Sequence, residues 1–198
     1  MASSRGRLVI IGGAEDRKGD CLILKEVVRL AGGDMARLLI LTAAASQPQE
    51  VGMLYRAVFT RLGSAEVGVL DISTRLQAED PMLVRLVDEC SGVFFTGGDQ
   101  LRITSLIGGT ALYHALEAAY QRGVVIAGTS AGASAMSSTM IIDGENDKEP
   151  AADAVRLAAG FNLVSDVVID QHFAQRGRLG RLLAAVAQNP YILGIGID

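Results

Sequence analysis

Val124-Val125-Ile126-Ala127-Gly128-Thr129-Ser130-Ala131-Gly132-Ala133-Ser134 is the run from which the rest of the chain is read. Its first four residues are apolar and read as a buried strand. Gly128 opens a tight bend, and the small residues from Ala131 to Ala135 can start a helix. A serine at a sharp strand-to-helix turn holds its hydroxyl exposed. Small neighbours let a carbonyl approach it, and the amide of Ala131 can face a developing oxyanion. The same position also suits a serine that caps the helix N-terminus.

Working outward, strands and helices alternate. Arg7 to Gly13 reads as a first buried strand ending in a glycine turn, followed by an amphipathic helix over 19–31 that stops at Gly32-Gly33. Ala36 to Ala44 reads as a second strand, and 48–62 as a helix with Pro48 in its first turn. A third strand is expected from Ala65 to Ile72, a helix from Asp80 to Cys90, a fourth strand from Gly92 to Gly98 and a helix over 110–122. Val124 to Ala127 is then the fifth strand, and Val167 to Phe173 and Tyr191 to Asp198 read as later ones. Short apolar strands separated by helices imply an α/β fold, a three-layer sandwich around a mostly parallel central sheet. At 198 residues one domain spanning 1–198 is expected.

Composition agrees with that class. Hydrophobic residues make up 49% of the chain, there are 23 glycines, and aromatic residues are scarce. A net charge of −4 gives no reason to expect nucleic-acid or membrane binding. The two cysteines, Cys21 and Cys90, fall in expected helices and read as reduced core thiols. No secretory apolar region precedes the first strand, because Met1 to Arg7 is short and polar, so a cytoplasmic location is expected. No metal site or cofactor is indicated.

In open α/β sheets, sites form beyond the carboxyl ends of the strands. Ser130 and His172 are therefore expected at the same edge of one sheet. The other histidine, His114, lies in a helical stretch and reads as a surface or packing residue. Phe94 to Arg102 ends the fourth strand with paired glycines. Gly97 or Gly98 could add a second oxyanion donor, and Gln100 a side-chain contact; a plain turn capped by Asp99 fits equally. Leu179, Leu182, Leu183 and Val186 repeat at helical spacing after His172. Arg176, Arg178 and Arg181 stand at the start of that helix, where cations oppose the dipole, and carboxylate binding would account for them. The acidic run from Asp143 to Pro150 reads as a surface loop near the site. The order serine then histidine, with no evident acid between, argues against an α/β-hydrolase.

Together, Gly12-Gly-Ala-Glu15, Phe95 to Gln100, Gly128 to Ala133, Asp170-Gln-His-Phe173, Arg176-Gly-Arg178 and Gly194 to Asp198 resemble the cyanophycinase family of serine peptidases. That resemblance implies a fold like class I glutamine amidotransferases, flavodoxin-like in topology. It implies a substrate, cyanophycin or a β-aspartyl peptide, cut to β-Asp-Arg dipeptides. It implies Ser130 as nucleophile, His172 as general base, and Gly98 and Ala131 as oxyanion amides. Gln100, Asp170, Gln171, Arg176, Arg178 and Arg181 become the substrate pocket, and a homodimer is expected. The serine motif alone also fits Asp-specific or isoaspartyl dipeptidases, or a homologue that only binds acidic peptides. In the family the triad acid is a glutamate directly after the Gly-Ile-Gly-Ile-Asp run, a position that would follow Asp198. Asp198 is a poor substitute, because neighbouring strand residues point to opposite faces. The chain thus resembles one piece of a longer protein, expected to be weak or inactive alone.

Overall fold

The computed structural model describes residues 5–144 and 155–198. Nine strands and seven α-helices occur among them. The strands are β1 (Leu8–Ile11), β2 (Arg37–Leu41), β3 (Glu66–Leu70), β4 (Gly92–Phe95), β5 (Val125–Thr129), β6 (Ser137–Gly144), β7 (Val155–Ala159), β8 (Val164–Gln171) and β9 (Leu193–Ile197). The helices are α1 (Leu22–Leu30), α2 (Pro48–Arg61), α3 (Pro81–Glu89), α4 (Gln100–Ile107), α5 (Ala111–Gln121), α6 (Ala131–Ala135) and α7 (Leu179–Gln188).

The first five strands form one parallel sheet in the order β1-β5-β4-β2-β3. Their side chains alternate between two apolar layers, so each strand reads as one continuous apolar run. Leu38, Ile40, Phe94 and Val125 face a layer built with Leu24 and Val28 of α1 and Tyr55 and Phe59 of α2. Leu39, Leu41, Phe95 and Ile126 face the other layer, with Val87 of α3, Ile103 and Ile107 of α4, Leu112 and Leu116 of α5, and Ala131 of α6. This is the expected three-layer α/β sandwich.

The expectation of one sheet needs correcting. A second sheet, ordered β7-β6-β8-β9, pairs β6 with β7 antiparallel and β8 in parallel with β6 and β9. Strands β6 and β7 follow the Ser130 turn and carry no clear strand signature, since Ser, Thr, Asp and Gly interrupt the apolar pattern in β6 and Arg156 interrupts it in the short β7. Of the acidic run, Asp143 and Gly144 end β6, and the rest lies outside the described residues. The short helix α4 was also missed. Asp99 caps it by accepting from the amides of Leu101 and Arg102 at 2.8 and 3.2 Å. Helix α1 starts later than expected because Asp16 folds the preceding residues into a turn, accepting from the amides of Lys18, Gly19 and Cys21. Cys21 and Cys90 are both buried and free, at helix caps rather than inside helices.

The end of β1 joins the two sheets. The Ile11 carbonyl accepts from Ser130 N–H at 2.9 Å, and the next carbonyl, Gly12, accepts from His172 N–H at 3.0 Å. Residues that leave β5 and β8 are thereby fastened to Ile11, the last residue of β1, and to Gly12 just past it.

Candidate active site

Ser130 follows β5 directly and has φ 52° and ψ −110°, a conformation costly for a residue with a Cβ. The turn is held by close backbone approach. A Cβ at Gly128 would lie 2.6 Å from the Gly132 carbonyl oxygen, and one at Gly132 would collide with the Phe95 carbonyl. Ser130 occupies the N-cap position of α6, but its side chain makes no capping hydrogen bond. The hydroxyl instead lies 3.0 Å from His172 Nε2 and 3.4 Å from Gln171 Oε1.

His172 sits just past β8, and its backbone is also left-handed, with φ 48°. Its ring packs on Gly13, where any Cβ would run into the imidazole. The other ring nitrogen, Nδ1, lies 2.8 Å from Gln175 Oε1. An amide oxygen can only accept, so Nδ1 carries the proton and Nε2 presents its lone pair to Ser130. The turn bearing Gln175 is in turn tied to β9, because the Asp198 carboxylate accepts from the amides of Ala174 and Gln175 at 3.1 and 3.2 Å.

The Ala131 amide and Gly97 lie beside the serine. Ala131 N–H stands at the first position of α6, where no intrahelical acceptor exists. Gly97 passes beside Ser130, and a Cβ on it would lie 3.3 Å from that of the serine. Gly98 has φ 141° and is pressed against the Ala44 carbonyl, so no larger residue fits. Asp99 caps α4, as one reading of this segment expected, and Gly97 lies against Ser130.

The remaining expected residues divide. Gln100 donates through Nε2 to the Ile141 carbonyl at 2.6 Å, tying α4 to β6. Asp170 is buried and receives a bidentate pair from Arg181, also buried. Arg178 is 7% exposed and donates to the Gln171 backbone and side-chain oxygens at 2.7 and 2.9 Å. Burial, with Arg181 close by and Asp170 opposing, lowers its pKa to about 10. Three arginines at one helix start are thus not three outward cations. Asp170 compensates two of them, the second at 3.7 Å, and Arg176 is the exposed one. His114 is exposed on α5 beside Glu117.

Three residues with structural parts here were not singled out for them from sequence: Gln175, Asp198 as a cap, and Glu15. Glu15 is buried and accepts from Tyr55 and from Thr129, the residue before the serine.

The family model described as "Peptidase family S51" matches residues 8–198. A cyanophycinase of Geminocystis herdmanii is 38% identical over 98% of this chain and 72% of that protein. One of Nostoc sp. is 38% identical over 99% of this chain and 66% of its own length. One of Synechococcus elongatus is 37% identical over 98% of this chain and 61% of its own. The chain therefore spans about two thirds of the length of these curated relatives. Among solved structures, a peptidase from an acI-B1 Actinobacterium superposes with a TM-score of 0.78 at 22% identity, covering 100% of this chain and 82% of that one. A putative peptidase E from Listeria monocytogenes gives a TM-score of 0.63 at 16% identity, covering 97% and 91%. These two share the fold. With the family model matched from β1 to the end of β9, the chain belongs to peptidase family S51, a family of serine-type hydrolases.

Proposed function

We propose that this chain carries the nucleophile and base of a serine exopeptidase that cuts the polyaspartate main chain of cyanophycin, releasing β-Asp-Arg dipeptides. The observation that carries the reading is the Ser130 hydroxyl 3.0 Å from an imidazole nitrogen whose partner nitrogen is held as the donor. The 37–38% identity to curated cyanophycinases supports the substrate.

Ser130 Oγ adds to the main-chain carbonyl carbon while His172 Nε2 takes the hydroxyl proton. Negative charge gathers on the carbonyl oxygen, and the amides of Ala131 and Gly98 stabilise it. The imidazolium then protonates the departing amine as the C–N bond breaks. Water, deprotonated by the same nitrogen, releases the acyl group and restores the serine. Arg176, the exposed cation of the three, is the group available to the substrate's free carboxylates, while Arg178 and Arg181 stay buried against Gln171 and Asp170.

The reading extends to a homodimer in the cytoplasm. Buried, unpaired Cys21 and Cys90 suit a reducing compartment. No helix among the described residues is long and apolar enough to cross a membrane.

Mass spectrometry of products from purified cyanophycin tests the proposal in the full-length protein. β-Asp-Arg is expected from the parental protein, with a loss of about 10⁴-fold or more in Ser130→Ala. Equal product from both would overturn the assignment of the nucleophile. Release of free Asp from Asp-X dipeptides, with cyanophycin untouched, would overturn the substrate.

A further inference from the structure

Glu15 is a buried carboxylate that the reaction above leaves without a part, only 8% exposed. Both of its oxygens are taken. Oε1 accepts from the Tyr55 hydroxyl of α2, and Oε2 accepts from Thr129 Oγ1 at 2.6 Å. Thr129 is the last residue of β5, joined directly to Ser130, and is itself buried.

Glu15 belongs to the turn that follows β1, and that turn supports both members of the serine–histidine pair. Ile11 accepts from Ser130 N–H, Gly12 accepts from His172 N–H, and Gly13 lies under the imidazole. Ala14 is left-handed, with φ 52°. Ser130, His172 and Ala14 thus all hold positive φ without being glycine, a state that persists only where the surroundings over-determine it. The side-chain tie from Glu15 to Thr129 closes this ring of constraints. It fixes the turn under His172 against the strand that delivers Ser130, in addition to the backbone bond at Ile11.

We infer that Glu15 is a positioning residue, which sets the approach of Ser130 to His172 by clamping the β1 turn onto Thr129, with Tyr55 holding the carboxylate in place. The inference rests on Ser130 and His172 being the reacting pair. Loosening the clamp would let the 3.0 Å contact lengthen, and a displacement of about 1 Å at reacting groups can cost about 100-fold in rate. Glu15 and Thr129 are both buried and out of a substrate's reach, so the loss falls on kcat.

The test measures kcat and KM on cyanophycin in the full-length protein, with thermal melting of each variant. Thr129→Val keeps the shape and removes the donor; it is expected to lower kcat about 10- to 100-fold with KM within about two-fold. Thr129→Ser, which keeps the hydroxyl, is expected to restore kcat to within about three-fold of the parent. Glu15→Gln, similar in size, is expected to move kcat in the same direction as Thr129→Val. Parental kcat in Thr129→Val, with Ser130→Ala inactive, would overturn the clamp and leave the proposed function standing. A loss that only follows the fraction of folded protein would overturn it as well, assigning Glu15 to stability alone. Turnover surviving in Ser130→Ala would overturn the proposed function and the clamp with it.

Discussion

At the scale of single residues, the histidine is controlled by two contacts from opposite sides. Ser130 Oγ meets Nε2 at 3.0 Å and Gln175 Oε1 meets Nδ1 at 2.8 Å. In a serine protease, an asparagine in place of the orienting aspartate costs about 10⁴-fold, because the imidazole adopts the wrong tautomer. An amide oxygen on Nδ1 avoids that failure, though it supplies no charge to the imidazolium. Gln175→Ala is therefore expected to lower kcat about 10- to 100-fold in the full-length protein, with little change in KM. Unchanged kcat would mean that Gln175 does not orient the imidazole during turnover. Ser130 and His172 could be singled out in the sequence because a strand, a glycine bend and small residues frame the serine, and only two histidines compete. Gln175 could not, since its approach depends on the left-handed turn at His172 and on Asp198 tying that turn to β9. The arginines were legible as a charge anomaly, yet their burial against Asp170 is a tertiary fact.

At the scale of elements, β8 and α7 are joined by that buried pair. Asp170 lies near the end of β8 and Arg181 in the first turn of α7, both with side chains no more than 7% exposed. Asp170 compensates cations that would otherwise oppose the helix dipole. Truncating one member of a buried pair leaves the other charge without compensation, at a cost of about 3–5 kcal/mol. Arg181→Leu is thus expected to lower the melting temperature by about 10 °C. A change in KM alone, with melting unaltered, would instead make Arg181 a substrate contact. The entry to α1 responds to acid. Amides of Cys21, Gly19 and Lys18 hold the Asp16 carboxyl at about 2, below its ordinary value of 3.8. Its contribution is present above pH 4 and is lost as pH falls toward 2. Asp16→Ala should melt below the parent at pH 6, and the gap should close by about pH 2. A gap independent of pH would assign the effect to the turn's shape rather than to the carboxylate. Helix α4 was missed although Asp99, Ile103 and Ile107 carry its cap and its buried face, because the glycines before it drew the segment toward a loop.

At the scale of the whole molecule, the first sheet was readable because burial on both faces makes each strand a continuous apolar run. The second sheet was not, since its strands mix apolar with small and polar residues and its order depends on pairings between distant segments. β9 shows the difficulty. Its alternate residues Gly194 and Gly196 lie against Leu182 and Val186 of α7 and against Phe173, while Leu193 and Ile195 turn the other way and are 62% and 38% exposed. β9 is also the terminal strand of its sheet among the described residues. An edge strand with exposed apolar side chains is a template for pairing with another chain. The 198-residue chain is therefore expected to self-associate as its concentration rises, and Leu193→Lys together with Ile195→Lys should suppress this. Light scattering on both forms provides the check. Charged edge residues block strand addition without touching the face that packs on α7, so melting temperatures should stay within a few degrees. Association that persists at the same concentration in the double variant would place the contact away from β9.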